Sequence, residues 1–419
     1  MNLPVKKKIL VVAESIDIED SSGTKGRVAL IKNLHKAGFE VLVYHYTRKE
    51  IQLPGITCIA IKEKRFSFLY YLSRLQRRLQ HGFKINLSKY LEPVFGFSFT
   101  FFNDANSIAE SLKSLKNFKL DLVLTLSKGA SFRPHYAMLK LPKLHSKWMA
   151  YIHDPYPFHY YPDPYRWSEP GYKHKIDFFK KVSQKSRWAA FPSLLLQEWM
   201  QGYFSDFKGK SIVIPHQLVR GKIITQELPD YFDSNKFTLL HAGNLMGTRP
   251  PHALINAFRN FMVENPNAKT NSQLILLGQN SNYFQDLQKY KSEVEQLYVS
   301  DGYVEYEQVQ LMQQNASVNI ILESIAEISP FLPGKFPHCV AANKPILLLA
   351  PKKSEVRRLL GEDYPYYTEV DKEDSIQKII EELYKRWEKD PNEHRLNRPD
   401  LVDYLSENQL KLKLNKILS

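Results

Sequence analysis

Cysteine is almost absent from this chain, and long hydrophobic runs are absent altogether. Cys58 and Cys339 lie far apart, one in a strand-like run and one in a helix-like run, so the sequence predicts neither a disulfide framework nor a cysteine metal site. No run approaches 18 consecutive apolar residues, and the basic start MNLPVKKKILVVAES leads into a strand without a small-residue cleavage site. We therefore expect a cytoplasmic protein without a signal peptide or membrane span.

What the chain does contain is enough apolar sequence for two cores. Its 419 residues are 43% hydrophobic and 24% charged, which is typical of a soluble globular protein with two domains. The formal net charge of +14 indicates an anionic partner, which could be a nucleic acid, an acidic membrane surface or a phosphorylated substrate. Charge alone does not decide among these classes.

Short apolar runs alternate with helix-period stretches, and the alternation starts twice. The first series includes KKKILVVAE, FEVLVYHY, DLVLTLS and KWMAYIH, and the second begins at KFTLLHAGN and continues through SQLILLGQ, VNIILES and KPILLLAP. This pattern predicts an α/β fold with two Rossmann-like, doubly wound domains whose strand ends face a cleft. We place the first domain at 1–218, the second at 219–385, with the linker around 218–235, and a helical tail at 386–419 that could pack back on the first domain.

The segment HAGNLMGTRPPHALINAF, residues 241–258, joins a strand to a helix through a loop that contains Gly243, Gly247 and Arg249. Glycine allows backbone amides to approach a phosphate, a helix N-terminus favours anions, and arginine binds phosphate through two hydrogen bonds. A tight turn with a surface arginine fits the local pattern equally well. No Walker-type loop is present.

A second strand-loop-helix segment, ILESIAEISPFLPGKFPHCVAANKPILLLAP, places Gly334 and Lys335 just before a short apolar helix. Loops that follow two strands of one parallel sheet meet at the same edge, so Arg249 and Lys335 could bind one diphosphate together.

Together, the two segments resemble the donor-binding half of the GT-B glycosyltransferases, particularly glycosyltransferase family four. The resemblance rests on the order Gly-x-Leu-x-x-x-Arg in the first loop, followed by Lys335 and the segment HCVAANKPILLL. It implies that Arg249 and Lys335 bind the donor diphosphate. The sequence departs from the family at three positions: His338 replaces a ribose-binding glutamate, Pro330 replaces an earlier glutamate, and Asn244 replaces a basic residue. The expected donor-binding set is Gly243, Asn244, Arg249, Gly278, Glu323, Glu327, Gly334, Lys335 and His338.

In the first half, the segment YIHDPYPFHYYPDPYRW ends a strand at His153 and Asp154 and continues through prolines and aromatic residues such as Tyr156. Aromatic faces stack on sugar rings and carboxylates bind hydroxyls, although a surface turn packed by tyrosines would look the same. The family often has a strand-end histidine that meets the donor sugar, and His153 matches it best. The resemblance thus implies the catalytic set His153, Arg249 and Lys335.

The loop after the first strand, AESIDIEDSSGTKGRVALI, lacks the Gly-x-Gly-x-x-Gly spacing of a dinucleotide site. In the family, the corresponding loop faces the acceptor, although a helix N-terminus with solvated cations is an equal alternative here. The loop LSKGASFRPHY contributes Lys128, Arg133 and His135 to the same edge. The expected acceptor-side set is Gly23, Lys25, Arg27, Lys128, Asp154 and Tyr156.

A further segment, residues 64–84, has apolar residues at helical spacing with arginines between them. Such a helix can lie on an anionic membrane, but the favoured interpretation is a helix that covers the core with its charges in water.

The resemblance implies transfer of a sugar, with retention, from a UDP- or GDP-sugar to a glycan or lipid-linked acceptor in polysaccharide or glycoconjugate synthesis. Two cationic phosphate ligands make a metal or other cofactor unnecessary. We expect no nucleic-acid partner, because the sequence contains no recognised nucleic-acid-binding motif. The alternatives are a catalytically silent, glycosyltransferase-like scaffold and a nucleic-acid-binding protein.

Overall fold

A computed structural model describes residues 6–82, 84–115, 119–165, 167–219, 226–391 and 394–419. The chain forms two compact units. The first consists of residues 1–161, 165–219 and 405–419, and the second of residues 162–164 and 220–404. The division falls within the linker expected around 218–235, of which residues 220–225 lie outside the described residues. The second unit continues past the boundary expected at 385, because that position falls inside a helix.

The first unit is built on a seven-stranded parallel sheet. Its strands are β1 Lys8–Ala13, β2 Glu40–His45, β3 Thr57–Ala60, β4 Leu122–Leu126, β5 Trp148–Tyr151, β6 Trp188–Phe191 and β7 Ser211–Val213. Their spatial order is β3-β2-β1-β4-β5-β6-β7. The apolar runs of the sequence are strands buried on both faces, as a sheet covered by helices requires.

Helices connect the strands of this sheet along the chain. They are α1 Ser22–Lys36, α2 Phe68–Gly82, α3 Ser88–Phe95, α4 Phe99–Lys113, α5 Arg133–Leu139, α6 Tyr172–Lys185 and α7 Leu194–Tyr203. α1 begins where the Ser21 hydroxyl accepts a hydrogen bond from the Thr24 amide, a serine N-cap. It is followed by Gly38, whose positive φ of 94° suits glycine.

The second unit has a six-stranded parallel sheet in the order β10-β9-β8-β11-β13-β15 and a separate parallel pair, β12-β14. The strands are β8 Phe237–Ala242, β9 Ser272–Leu277, β10 Leu297–Val299, β11 Val318–Leu322, β12 Ile328–Ser329, β13 Ile346–Leu349, β14 Lys353–Ser354 and β15 Tyr367–Thr368. The helices are α8 His252–Glu264, α9 Ala268–Asn271, α10 Phe284–Glu293, α11 Tyr306–Asn315, α12 Phe336–Ala342, α13 Glu355–Leu360, α14 Glu373–Lys389 and α15 Pro399–Tyr404.

The chain ends in α16, Glu407–Leu418, which belongs to the first unit. Its Leu410 and Leu414 are buried in the same cluster as Val28 and Ile31 of α1. α16 is therefore part of the first unit's core. The α/β fold class with two parallel-sheet domains, predicted from the alternation of strands and helices, is confirmed.

Candidate functional site

Each sheet contains one point where the strand order reverses. In the second unit this point lies between β8 and β11, and in the first unit between β1 and β4. Open parallel sheets bind ligands beyond the carboxyl ends of the strands at such points. The loops that follow β8 and β11 are therefore the candidate site of the second unit, and the loops that follow β1 and β4 are the candidate site of the first unit.

In the second unit, the loop after β8 is fixed against the end of β9. The amide of Gly243 donates to the Leu277 carbonyl at 2.8 Å, and the amide of Leu245 donates to the Gln279 carbonyl at 2.8 Å. Gly278 has a φ of 121°, and a Cβ there would lie 2.7 Å from the Gly243 carbonyl oxygen. Gly278, expected at the donor site, thus allows two backbone segments to approach closely.

Lys335 comes from the turn before α12, yet its side chain ends beside the β8 loop. Its Nζ lies 3.1 Å from Nδ1 of His241 and 3.4 Å from the Ile320 carbonyl oxygen. A Cβ on Gly243 would lie 3.2 Å from the same Nζ. The absence of a side chain at position 243 thus leaves space in front of the Lys335 amine.

Arg249 is the second cation at this point. A turn in which its amide donates to the Met246 carbonyl at 2.8 Å places it three residues before α8. Its Nε is buried and has no hydrogen-bond partner among the described residues. Its positive charge is close enough to lower the pKa of Lys335, so the two loops bring their cations together.

Burial and charge give this cluster unusual proton affinities. Burial, with a smaller contribution from the nearby Arg249, lowers the pKa of Lys335 to about 7, and Cys339 and Glu323 oppose the shift. Glu323, only 3% exposed, directly follows β11, and burial raises its pKa to about 7. The Ser329 hydroxyl and both cations oppose that shift. A lysine and a carboxyl group that titrate near neutrality are typical of functional sites.

His338 faces another helix. Its Nε2 lies 3.0 Å from the Tyr306 hydroxyl, and its Nδ1 lies 3.2 Å from the side-chain nitrogen of Gln310. Both partners are on α11. The histidine that stands where the family has a ribose-binding glutamate is thus held by α11.

The remaining expected donor residues lie around this cluster. Asn244 is exposed, and its Oδ1 accepts a hydrogen bond from the Gln279 amide at 3.1 Å. Glu327 and Gly334 are exposed as well. The residues that the structure brings together are Gly243, Arg249, Glu323 and Lys335, joined by His241, which sequence reasoning missed.

In the first unit, Arg27 connects the ends of β1 and β4. It is buried, and its guanidinium donates to the carbonyl of Ser15, to the carbonyl of Ser127 at 2.9 Å and to the Thr24 hydroxyl. Burial lowers its pKa to about 10. Its hydrogen-bonding capacity is largely used by the protein, so the acceptor-side role expected for Arg27 gives way to a structural one.

Glu14, which directly follows β1, organises the adjoining loop and was also missed. Its carboxylate accepts hydrogen bonds from the Lys128 amide at 2.9 Å, from the Ser131 hydroxyl and from Arg133 at 2.6 Å. Arg133 also lies 3.2 Å from a carboxylate oxygen of Asp104. Arg133 is therefore held between two carboxylates.

His153 follows β5, with its ring stacked on Phe132 at 5.7 Å between centroids. Its Nε2 lies 3.3 Å from a carboxylate oxygen of Asp154. Burial lowers the pKa of His153, and Asp154 partly opposes the shift. The ring is neutral at physiological pH and can contribute a hydrogen bond without a charge.

Two neighbours of His153 belong to the core. Tyr156, expected to face an acceptor, is 1% exposed and packs against Phe132 and Phe179 with centroids 4.8 Å and 5.0 Å away. That expectation is wrong, because neither face of the ring is open to a ligand. His135 is also fully buried, and burial lowers its pKa to about 3.

The other acceptor-side residues lie at the surface or at its edge. Gly23 is exposed in the first turn of α1, Lys25 is half-buried, and the Lys128 amine pairs with Asp20.

Solved structures similar to this chain cover almost its whole length. A glycosyltransferase from Rickettsia africae is 12% identical with a TM-score of 0.61, over 99% of this chain and 98% of that one. A trehalose-6-phosphate structure from E. coli, bound with UDP-2-fluoro glucose, is 12% identical with a TM-score of 0.61, over 98% of this chain and 99% of that one. Anabaena HepE in complex with UDP and glucose is 11% identical with a TM-score of 0.57, over 98% of this chain and 99% of that one.

The chain has the GT-B glycosyltransferase fold. No protein-family model matches its sequence, and no curated protein matches it either. At 11 to 12% identity the similarity defines the fold of the chain and leaves its chemistry to be argued from its own residues.

Apart from the strand ends, this GT-B chain has an unusual surface on α2 and α3. The interpretation of residues 64–84 as a core-covering helix is wrong: the residues that α2 buries are Ser73 and Gln76, and α3 buries none. Gln76 is buried because it bonds the Ser88 hydroxyl and the Phe99 amide. We define the α2–α3 surface by its exposed members Phe66, Phe68, Tyr71, Leu75, Arg78, Lys89, Tyr90 and Val94.

This surface combines apolar rings with positive charge. Phe66 is 91% exposed and Phe68 is 77% exposed. A groove of roughly 770 Å³ runs along α2 between its tyrosines and arginines. In the described part of the chain, no helix is both long enough and apolar enough to cross a membrane. Among the same residues, no cluster of three or more histidine, cysteine or acidic side chains is placed to bind a metal.

Proposed function

We propose that this protein transfers a sugar from a nucleotide-diphosphate sugar to a hydroxyl group of a glycan or lipid-linked acceptor. The observation that carries the proposal is that Lys335 and Arg249 come from two separate loops at the β8/β11 strand ends, close enough for their charges to interact, with the Lys335 amine in front of Gly243. Two cations beside a backbone without a side chain suit a diphosphate.

The cations act on the leaving group. In the reaction, the bond between the anomeric carbon and a phosphate oxygen breaks, and its electron pair stays on that oxygen. The acceptor oxygen forms the new bond to the anomeric carbon and releases its proton to the departing phosphate. Arg249 and Lys335 stabilise the negative charge that develops there, where electrostatic stabilisation contributes most, and this makes the transfer independent of a metal.

The donor is a UDP- or GDP-sugar, and we favour UDP. The support is that two solved structures of the same fold are bound with UDP-2-fluoro glucose and with UDP and glucose. Glu323 or His338 contacts the ribose. His153 contacts the donor sugar as a neutral hydrogen-bond donor, and Gly23, Lys25, Lys128 and Asp154 serve the acceptor. Transfer proceeds with retention, as the resemblance to family four implies.

Of the two acceptor classes we favour the lipid-linked one, because the α2–α3 surface would hold the protein at the cytoplasmic face of an anionic membrane. Exposed aromatic rings insert at the boundary between headgroups and acyl chains, and neighbouring arginines and lysines bind anionic headgroups. This arrangement places the enzyme in the synthesis of a surface polysaccharide or glycoconjugate.

The test is turnover of a panel of UDP- and GDP-sugars, measured as release of the nucleoside diphosphate with and without acceptor extracts. We expect the wild-type protein to use at least one donor. Arg249→Ala should lower kcat by about a hundredfold or more, the usual effect of removing one group that stabilises developing charge. Arg259→Ala is the matched control, because Arg259 is a half-exposed arginine of α8 that pairs with Glu293. Folded wild-type protein that turns over no donor would refute the proposal.

The second candidate function is that of a catalytically silent scaffold. The observation that favours it is that His338, which stands where the family has a glutamate, is held by Tyr306 and Gln310 of α11. It predicts nucleotide binding without turnover, and a cellular role that persists in the Arg249→Ala variant.

A further inference from the structure

His241 is the most unusual residue of the central strand in the second unit. It lies near the end of β8 in the run FTLLHA and is 1% exposed. Its strand partners are Ile320 on β11 and Leu276 on β9, both apolar. A buried imidazole costs free energy unless its nitrogens are hydrogen-bonded, so each nitrogen needs a partner.

One nitrogen has such a partner. Nδ1 of His241 lies 3.1 Å from Nζ of Lys335. In its charged form the Lys335 amine can only donate, so with that form Nδ1 accepts and the ring proton is on Nε2. Burial, together with Lys335 and Arg249, holds the pKa of His241 well below its usual range, against an opposing effect of the Ile320 and Gly243 backbone. The ring is therefore neutral, with a donor at Nε2.

The other nitrogen has no well-aligned partner. Nε2 is buried and makes no hydrogen bond of normal geometry to a described residue, although the backbones of Ile320 and Gly243 lie close to the ring. It faces the space above Gly243, because a Cβ at that position would lie 3.5 Å from Nε2 and 3.2 Å from the Lys335 amine. A buried donor without a well-aligned acceptor costs free energy, which a ligand oxygen placed between these two nitrogens would recover.

We propose that His241 donates a hydrogen bond from Nε2 to the leaving diphosphate and is the third diphosphate ligand beside Arg249 and Lys335. This inference rests on the proposed function and adds to it an uncharged donor from the strand itself. As the phosphate oxygen takes the electron pair of the breaking bond, its hydrogen bond with Nε2 strengthens, so His241 favours the departing group over the intact donor.

The competing role for His241 is to position Lys335 through Nδ1, and two substitutions separate the roles. His241→Gln places an amide nitrogen near the position of Nε2 and leaves Nδ1 without a counterpart. His241→Asn does the reverse: it keeps an acceptor for Lys335 and has no atom at the position of Nε2.

The experiment measures binding of UDP and GDP by calorimetry, together with kcat and KM for the donor that the wild-type protein uses. We expect the Gln variant to lose clearly less affinity and kcat than the Asn variant, because it keeps a donor near the position of Nε2. The Asn variant should lose at least tenfold in UDP or GDP affinity and up to about a hundredfold in kcat. An active Asn variant beside an impaired Gln variant would assign His241 to positioning and overturn the inference. Equal effects of the two substitutions would overturn it as well.

A spectroscopic measurement on the wild-type protein covers the case in which a variant does not fold. In ¹⁵N NMR spectra, His241 should be protonated at Nε2 in the free protein, and its Nε2 proton should shift downfield when UDP or GDP is added. A resonance that does not respond to a bound nucleotide would contradict the inference. A wild-type protein that binds neither nucleotide would instead refute the proposed function itself, which distinguishes the two failures.

Discussion

A methyl group on Gly243 would lie 3.2 Å from Nζ of Lys335, although the two residues are 92 positions apart in the chain. That distance is tighter than ordinary van der Waals contact, so a side chain at position 243 would occupy the space in front of the amine. Gly243 has no positive φ that would require glycine. The structure therefore gives this glycine a function in leaving space beside Lys335.

Gly243→Ala should weaken UDP or GDP binding by about tenfold or more and leave the fold intact, because the backbone accepts alanine and only the space for a phosphate is filled. Calorimetric titration checks the affinity, and circular dichroism checks the fold. Gly247→Ala in the same loop is the control, since its Cβ would make an ordinary 3.5 Å contact with Asn282. Equal affinities of the Gly243→Ala variant and the wild-type protein would show that a phosphate does not occupy this space.

Nucleotide affinity should fall as the pH rises above 7. Burial holds the pKa of Lys335 at about 7, so the charged form that attracts phosphate is lost as the pH passes through that value. Ionisation of Glu323, whose pKa is also about 7, adds a negative charge and acts in the same direction. A phosphate with a second pKa of about 6 is already fully charged over this range.

The measurement is UDP or GDP affinity between pH 7.5 and 9, with an expected loss of up to about tenfold per pH unit. Lys335→Arg should remove most of the pH dependence, because arginine stays charged, and Glu323→Gln should remove the remainder. A flat profile for the wild-type protein would contradict the assignment of Lys335 to the phosphate.

Arg27→Met should destabilise the first unit by about 3 kcal/mol, because it leaves the buried carbonyls of Ser15 and Ser127 without their donor. Urea denaturation followed by tryptophan fluorescence checks this. Lys113→Met, which removes an exposed lysine of α4 that pairs with the exposed Glu110, should change the stability by less than about 0.5 kcal/mol. A stable Arg27→Met variant with impaired acceptor use would restore the acceptor-side role of Arg27.

The α2–α3 surface should bind vesicles that contain phosphatidylglycerol and should bind pure phosphatidylcholine vesicles much more weakly, since both apolar rings and cations contribute. The double variant Phe66→Ser, Phe68→Ser should lose at least tenfold in co-sedimentation with the anionic vesicles. Phe284→Ser, which removes an exposed ring from the second unit, is the matched control. Binding that is unaffected by the double variant would place the membrane contact elsewhere or exclude it.

The sequence allowed prediction of the features that depend on local pattern. Alternating strands and helices predicted two parallel-sheet units, because the spacing of apolar residues that is typical of a strand or a helix is visible within a few residues. Arg249 and Lys335 were found because each lies in a glycine-containing loop just before a helix. The meeting of the two loops followed from the rule that parallel strands end at one edge of the sheet.

Features that depend on long-range packing could not be predicted in this way. His241 lies in an apolar strand, and its only signal was a histidine two residues before the loop glycine. Glu14 accepts a hydrogen bond from Arg133, which lies 119 positions later, and no local pattern reveals this contact. The helical stripe of Phe68, Leu72, Leu75 and Leu79 predicted burial, yet Phe68 and Leu75 are exposed and Leu72 and Leu79 are only half-buried. The residues that α2 turns inward are Ser73 and Gln76, because Gln76 bonds groups beyond its own helix.

The central claim is that the loops around Gly243 and Lys335 bind a nucleoside diphosphate, and the most direct test is a thermal-shift screen with UDP, GDP, ADP and CMP. Ligand at about a hundred times its dissociation constant stabilises the folded protein by about 2.7 kcal/mol, which should raise Tm by a few degrees. The account predicts that UDP or GDP raises the Tm of the wild-type protein and that Lys335→Met abolishes the shift. No shift with any nucleotide, or a shift that persists in Lys335→Met, would contradict it.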